Sequence, residues 1–255
     1  MDKNIIIRHC DTNEEFQQCV DLQKAVWKFE DIDVVPKRLF VVAHKIGGQV
    51  IGAFDGGRLA GFALSVPGSR NGHPYLHSHM LAVLEEYRNY GLGRRMKLAQ
   101  RDDAIARCFD LIEWTFDPLE IKNAYLNIER LGAIARRYTI NQYGMSSSPL
   151  QGGLPTDRLV AEWWLNSSRV NTLMDSGKLT AAKTDLRIEV PAEIYEWKAD
   201  PASREKAEDI QSGNREAFLT AFAEGKSVLG YERDEKGSGA FLLGNWDENW
   251  SYASR

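Results

Sequence analysis

The pattern of hydrophobic and polar positions divides the chain into short apolar-rich blocks. Ile5–Arg8 has the length and composition of a strand. Thr12 can cap a helix that continues through Trp27, and Glu15, three residues after Thr12, completes a capping-box pattern. The chain is therefore predicted to open with a strand followed by a helix.

The following blocks predict a sheet. Two β-rich runs within residues 49–66 flank Asp55-Gly56-Gly57, a sequence that tolerates the left-handed backbone of a hairpin turn. Further strands are predicted over 75–83, 111–116, 133–138 and 159–165. Helices are predicted over 94–106 and 118–131. Gly132 is expected to end the helix of 118–131. This order predicts an α/β fold with a mixed, mostly antiparallel sheet flanked by helices.

The C-terminal part repeats the opening layout. A strand is predicted over 186–190, one or two helices over 203–224 with a break near Ser212-Gly213, and a hairpin over 227–243. Val228-Leu229-Gly230 resembles Val50-Ile51-Gly52, which two generic hairpins could also produce by chance. We therefore expect a core over residues 1–165 and a smaller α/β lobe over 166–255, with a degenerate half-repeat of the core as a hypothesis for the lobe.

Composition limits the classes of function. The 255 residues carry a net charge of -4 with Lys and Arg scattered between acids, so no basic surface for nucleic acid is expected. Cys10, Cys19 and Cys108 have neither zinc-site nor disulfide spacing, which favours a reducing compartment. The chain shows no secretory leader and no apolar run long enough to span a bilayer. A cytoplasmic location without a membrane partner is expected.

A loop with two glycines separates the strand of 75–83 from the next helix. Its sequence is Arg88-Asn89-Tyr90-Gly91-Leu92-Gly93. Backbone N–H groups at a helix start can converge on an anion, and glycine lets the backbone approach oxygen closely. Arg88 and Arg94 add positive charge, so phosphate is the expected anion. Dinucleotide and P-loop motifs fit poorly, and glycines with a purely structural role are the alternative.

The motif Arg-x-x-Gly-x-Gly at Arg88–Gly93 resembles the pyrophosphate loop of GNAT acyltransferases. The resemblance covers residues 1 to about 165, because hairpin, loop, strand and helix follow in the family's order. The runs Trp114–Leu119, Asn123-Ala124-Tyr125 and Leu154–Leu159 look like a little-characterised branch with a C-terminal lobe. The resemblance implies acetyl-CoA as cosubstrate and no metal. The implied cofactor-binding residues are Leu81, Ala82, Val83, Arg88, Asn89, Tyr90, Gly91, Leu92, Gly93, Arg94, Asn123 and Asn127.

Acyl transfer to an amine needs a base for the amine and an acid or other support for the leaving thiolate. By resemblance, the base position on the fourth strand is His77, and imidazole suits neutral pH. Glu113 and Asp117, which flank the next strand, are alternative bases, although Asp117 precedes Pro118 and is more typical of a helix cap. The family's tyrosine position for the thiolate acid holds Ile128, so Tyr125 is the substitute candidate, with Tyr143 as another.

Neighbouring residues allow competing interpretations. His73, His77 and His79 could suggest a metal site, but no cysteine lies near them, so no metal is expected. Asp157 and Arg158 could contact a charged acceptor, although an adjacent pair of opposite charge is more often a solvated turn.

These features predict transfer of an acetyl, or another small acyl, group from acyl-CoA to the amine of a small molecule by direct attack on the thioester. A protein N-acetyltransferase is one alternative. A non-catalytic CoA-binding regulatory module is another, kept open by Ile128 at the tyrosine position. A soluble mixed-sheet domain of another role remains if the resemblance fails. The sequence is compatible with a homodimer.

Overall fold

The computed structural model describes residues 4–144 and 146–252. Residues 1–3 and 253–255, the outer ends of the predicted core and lobe, lie outside the described residues. The chain forms two compact units, one that runs through Glu113 and includes Tyr252, and one over Trp114–Ser251. The boundary between the two units therefore falls between Glu113 and Trp114, inside the strand Leu111–Phe116. The division at residue 165, which follows the family resemblance, stays a prediction.

The first unit is a sheet with helices on both faces. Its elements are β1 Ile5–His9, α1 Asn13–Trp27, α2 Lys37–Lys45, β2 Gln49–Asp55, β3 Arg58–Arg70, β4 His73–Val83, α3 Leu92–Ala106 and the start of β5 Leu111–Phe116. β1, β2, β3 and β4 are neighbours in that order and antiparallel. The described pairing of β4 with β5 is parallel and consists of Leu76 with Ile112 and His77 with Glu113. The predicted mixed, mostly antiparallel sheet flanked by helices is confirmed.

Two apolar clusters cover the two faces of this sheet. On one face, Phe16 of α1 and Phe40 of α2 belong to a cluster with Met80 and Ala82 of β4. On the other face, Met96 of α3 belongs to a cluster whose partly buried members include Leu81 and Val83. The clusters fix which residues of β4 face α1 and α2 and which face α3.

Local signals explain α1 but not α2. The Thr12 hydroxyl accepts from the Glu15 backbone amide at 3.2 Å, and the Glu15 carboxylate accepts from the Thr12 amide, so the predicted capping box is confirmed. The sequence patterns did not predict α2, where β-branched Val41 and Val42 favour helix weakly. Packing of the Phe40 ring against Phe62, with centroids 5.6 Å apart, stabilises this helix instead.

The second unit is antiparallel. Its elements are α4 Ile121–Tyr125, a π-helical turn Leu126–Arg130, β6 Ile134–Thr139, β7 Arg158–Trp164, α5 Ser168–Ser176, β8 Leu186–Val190, α6 Ile194–Ala199, α7 Arg204–Ala223, β9 Lys226–Arg233 and β10 Gly239–Asn245. The strand order is β7, β6, β9, β10, β8, and each neighbouring pair is antiparallel.

Three expectations for this unit need correction. α7 is continuous, so the predicted break near Ser212-Gly213 is wrong, because the helix is held by a buried face that includes Phe218. The helix predicted from Pro118 begins only at Ile121, since the Asp117 carboxylate accepts from the Leu119 amide at 2.8 Å and forms a turn. Asp157 is fully buried, so the expected solvated turn is also wrong.

The half-repeat hypothesis meets one structural difference. The order β8, α6, α7, β9, β10 reproduces the order β1, α1, α2, β2, β3. The pairing does not, because β1 pairs with β2 whereas β8 pairs with β10. The half-repeat stays a prediction.

Candidate functional site

A β-bulge interrupts β4 at His79. Leu64 pairs with Met80, but Ser65 pairs with Ser78, which leaves His79 as the extra residue. The side-chain directions agree with this assignment. Ser78 accepts a hydrogen bond from Lys97 of α3, whereas Met80, two residues later, packs into the cluster of α1 and α2. In a regular strand, Ser78 and Met80 are two residues apart and would face the same side of the sheet.

The bulge groups two histidines on one part of β4. Ser78 faces α3, so His77 points to the opposite face, where its β3 partner Val66 packs against the cluster of α1 and α2. The imidazole rings of His77 and His79 lie 6.2 Å apart between centroids. Partial removal of the His79 imidazole from water lowers its pKa, although the residue as a whole is exposed. A neutral imidazole can accept a proton at pH 7.

Glu113, the alternative base, is held in an ion pair. It is the parallel partner of His77, and its side chain is buried. Arg70 Nη2 donates to both carboxylate oxygens, at 2.9 and 2.8 Å, and the Arg70 guanidinium lies 5.0 Å from the centroid of the Tyr75 ring. The carboxylate charge is therefore balanced by Arg70 within this unit.

The glycine loop begins at a hydrogen bond to the β2–β3 hairpin and ends in a left-handed turn that leads into α3. After Val83, one 3-10 turn ends at Tyr87, whose hydroxyl donates to Asp55 in the β2–β3 hairpin at 2.7 Å. This hydrogen bond raises the pKa of Tyr87, so the phenol stays protonated. Asn89 and Gly91 have left-handed backbones, with φ of 66° and 72°. Their turn directs the chain into α3.

The start of α3 has the features of an anion site. Gly91 is the N-cap residue, and no side chain of the described residues makes a cap hydrogen bond there. A Cβ at Gly93 would meet only Leu81 Cδ2, at 3.7 Å, among neighbouring atoms. Arg88 Nε donates to Val83 O at 3.1 Å. Backbone amides and the helix dipole therefore favour an anion beside Gly93.

The remaining residues named by the resemblance lie in the second unit. Asn123 is exposed on α4, whereas Asn127 is buried in the π-helical turn. Asn127 Nδ2 has no hydrogen-bond partner among the residues that the structure describes, which is a costly state for a buried donor. Tyr125 is half-buried, with the Arg233 guanidinium 5.9 Å from its ring centroid. Ile128 is a core residue.

Sequence reasoning missed a buried polar network behind β4. Lys97 is 2% exposed, and burial lowers its pKa to about 7. Its position beside Met96 on the buried part of α3 was the one available signal. Among the described residues, no group of three or more His, Cys, Asp and Glu side chains could hold a metal ion, and no helix is long and apolar enough to cross a membrane.

Residues 9–123 match the model of the acetyltransferase (GNAT) family. This segment is a GNAT acetyltransferase domain. The predicted family and the predicted enzyme class are confirmed. The GNAT match contains His77, Glu113 and the whole glycine loop, and it ends before Tyr125 and Asn127. No curated protein matches the sequence.

Similar solved structures share the GNAT fold at low identity. YncA of Salmonella typhimurium, solved with its cofactor acetyl-CoA, is 15% identical, with a TM-score of 0.52 over 65% of this chain and 97% of that chain. The ribosomal-protein-S18-alanine N-acetyltransferase of Escherichia coli is 14% identical, with a TM-score of 0.51 over 71% and 98%. An N-acetyltransferase from Staphylococcus aureus is 13% identical, with a TM-score of 0.51 over 64% and 99%.

Proposed function

We propose that this chain transfers an acetyl, or another small acyl, group from acyl-CoA to an amine of a small molecule. The start of α3 carries this proposal. Left-handed Gly91 leads into a first helical turn without a side-chain cap, and Gly93 adds no Cβ there. The pyrophosphate of acyl-CoA is an anion of the kind that such a helix start binds. Acetyl-CoA, the cofactor in the Salmonella structure, is the proposed cosubstrate.

The binding of the rest of the cofactor is assigned by resemblance. The described pairing of β4 with β5 ends at His77, before Leu81, Ala82 and Val83. The backbone groups of these three residues are the proposed partners of the pantetheine amides. The same resemblance assigns Asn123 and Asn127 to the pantetheine arm.

His77 is the proposed general base. An amine reaches the enzyme mostly as ammonium, and His77 would take its proton, next to a His79 ring that stays neutral at pH 7. The amine nitrogen then attacks the thioester carbonyl, the C–N bond forms, and the C–S bond breaks with its electron pair on sulfur. Tyr125, the proposed substitute for the family's tyrosine at the position of Ile128, would protonate the thiolate, and the second proton that the nitrogen loses then restores the Tyr125 hydroxyl. The products are the amide and CoA, and one proton is released.

A cationic small amine is the proposed acceptor class. The net charge of -4 favours the approach of positively charged molecules and disfavours nucleic acid and other polyanions. Protein amines are the competing acceptors, and a peptide in the substrate panel below separates the two classes.

Two measurements on the purified protein test the proposed function. We expect acetyl-CoA and CoA, but not NAD, to raise the unfolding temperature, because a ligand that binds only the folded state stabilises it. We then expect thiol release from acetyl-CoA with at least one amine from a panel of polyamines, aminoglycosides, amino acids and a peptide. No shift with millimolar acetyl-CoA would reject the proposal. A shift without turnover would favour a regulatory CoA-binding module.

The role of His77 is tested by a pair of variants on the same strand. We expect His77→Gln to lower kcat by about 10²- to 10⁴-fold, the usual contribution of a general base, and to leave the acetyl-CoA shift intact. His73→Gln is the matched control, because His73 stacks on Tyr252 with centroids 4.7 Å apart at the far end of β4. Equal losses in both variants would contradict a specific role of His77.

A further inference from the structure

The bulge at His79 is held by one side chain of α3. Gln100 Nε2 donates to Ser65 Oγ at 2.6 Å, and Ser78 Oγ donates to Gln100 Oε1 at 3.2 Å. Ser65 and Ser78 are the residue pair directly before the bulge. A single buried amide therefore bridges β3 and β4 at the point where their register shifts.

Lys97, on the same helix, fixes the second serine. Lys97 Nζ donates to Ser78 Oγ at 2.8 Å, so this hydroxyl accepts from Lys97 and donates to Gln100. The ammonium form of Lys97 is disfavoured by its burial. A neutral amine still has N–H donors for Ser78. The direction of the Ser78 side chain is thus set from two sides.

Gln49 extends the network behind Ser65. Ser65 Oγ donates to Gln49 Oε1 at 2.9 Å, and Gln49 Nε2 donates to the backbone oxygen of Gln100 at 2.8 Å and to Asp103 Oδ2 at 2.7 Å. Gln49, Ser65 and Gln100 are buried and hydrogen-bonded to each other. A satisfied buried network of this kind specifies one arrangement, because each alternative leaves polar groups without partners.

The network selects the position of the bulge. If β4 slipped by one residue, Ser78 would turn towards the apolar cluster of α1 and α2, and its hydrogen bonds to Lys97 and Gln100 would be lost. His77 and His79 are the chain neighbours of Ser78 on either side. Their directions therefore depend on how Ser78 is held.

We propose that Gln100 and Lys97 are positioning residues that fix the β4 bulge and thereby orient His77 and His79 for acyl transfer. Both act from the α3 side of the sheet and do not contact the reacting atoms. This role rests on the proposed function of His77. The helix that begins at the proposed pyrophosphate site would then also hold the strand of the proposed base.

The test variant is Gln100→Leu, which keeps much of the side-chain volume and removes both bridging hydrogen bonds. Side-chain NMR titration follows the five histidines of the chain, assigned by single His→Gln variants. We expect the titration midpoint of His79 to move towards that of an ordinary histidine. We also expect kcat with the best amine of the panel to fall at least 10-fold, with KM for acetyl-CoA within about twofold. Lys97→Met should change both quantities in the same direction.

Ile51→Val is the control for a general loss of stability. Ile51 is a buried β2 residue that pairs with Ala63, and its apolar side chain contributes no hydrogen bond to the network, so shortening it costs fold stability without removing a polar contact. It should leave the histidine titrations and kcat unchanged. If Gln100→Leu fails to fold, Ser78→Ala removes the hydroxyl at the bulge with a smaller change in volume, and the same shifts are expected.

The outcomes separate the two proposals. Unchanged histidine titrations and unchanged kcat in folded Gln100→Leu would overturn the positioning role, as would equal effects of Ile51→Val. If the wild-type protein neither binds nor turns over acetyl-CoA, the proposed function fails, and with it the catalytic part of this inference. The histidine titrations then still decide whether Gln100 fixes the bulge.

Discussion

At the scale of single residues, we expect the glycine at position 93 to be required for ligand binding and not for folding. Its Cβ would make an ordinary contact with Leu81, and its φ is not left-handed, unlike that of Gly91. We expect Gly93→Ala to fold with wild-type stability or slightly above it and to weaken acetyl-CoA binding about tenfold or more, because the methyl group occupies space next to the pyrophosphate. Calorimetric titration measures the affinity.

Gly213 provides the control for this substitution. It lies inside α7, and an added Cβ would meet no atom within 4 Å. We expect Gly213→Ala to raise the free energy of unfolding by about 0.5–1 kcal/mol and to leave the affinity unchanged. Wild-type affinity in Gly93→Ala would show that the ligand does not approach the backbone at this residue.

The lowered pKa of Lys97 predicts that the free energy of unfolding increases with pH. Its pKa is about 7 in the folded protein, against about 10.4 in the unfolded chain. Between these values the unfolded state binds more protons, so the free energy of unfolding rises with pH, by at most about 1.4 kcal/mol per unit. Below about pH 7 both states are protonated at Lys97, and its slope disappears.

We expect Lys97→Met to remove this slope. Urea unfolding between pH 7.5 and 9.5 should give a flatter curve for the variant than for the wild-type protein, since other titrating groups contribute equally to both. Parallel curves would mean that Lys97 keeps an ordinary pKa in the folded protein.

At the scale of elements, Asp157 connects the segment before β7 to helix α7. Its carboxylate accepts from Arg215 Nε at 2.7 Å, from the Tyr138 hydroxyl at 2.7 Å and from the backbone N–H of Asn141 at 2.9 Å. The pKa of Tyr138 is raised mainly by burial and in addition by the hydrogen bond to Asp157, so the phenol remains a donor. Three separate segments therefore depend on one buried carboxylate.

We expect Asp157→Ala to lower the free energy of unfolding by about 3 kcal/mol, because it leaves Arg215 and Tyr138 without their acceptor. Glu232→Ala is the control, since Glu232 pairs with Arg187 on the surface, where such pairs contribute under about 1 kcal/mol. Chemical denaturation measures both changes. Similar small losses in the two variants would indicate that water replaces the carboxylate at residue 157.

Elements differed in how well the sequence predicted them. The α1 capping box, the hairpin turn at Gly56 and β5 were predicted, because each depends on residues close together in sequence. The continuous α7 and the π-helical turn Leu126–Arg130 were not. Their course depends on packing against residues far away in sequence, which overrides local preference.

At the scale of the whole molecule, the prediction of a core over 1–165 can be tested by cutting the chain. Residue 165 lies inside the second compact unit, Trp114–Ser251. A fragment of residues 1–165 would lack Arg215, the partner of buried Asp157, and β9, the neighbour of β6. We expect this fragment not to unfold cooperatively in urea when followed by circular dichroism. Cooperative unfolding would establish residues 1–165 as an independent domain.

The sequence by itself determined the order of most strands and helices, the GNAT family and the position of the glycine loop, because these are recorded in residues a few positions apart. Thr12 and Glu15, three residues apart, are one example. Tertiary structure alone decided the bulge at His79, the lowered pKa of Lys97 and the burial of Asp157. Ser78 meets Lys97 across 19 residues, and Gln49 meets Asp103 across 54. Such contacts form only when the sheet brings distant segments together, so no local pattern records them.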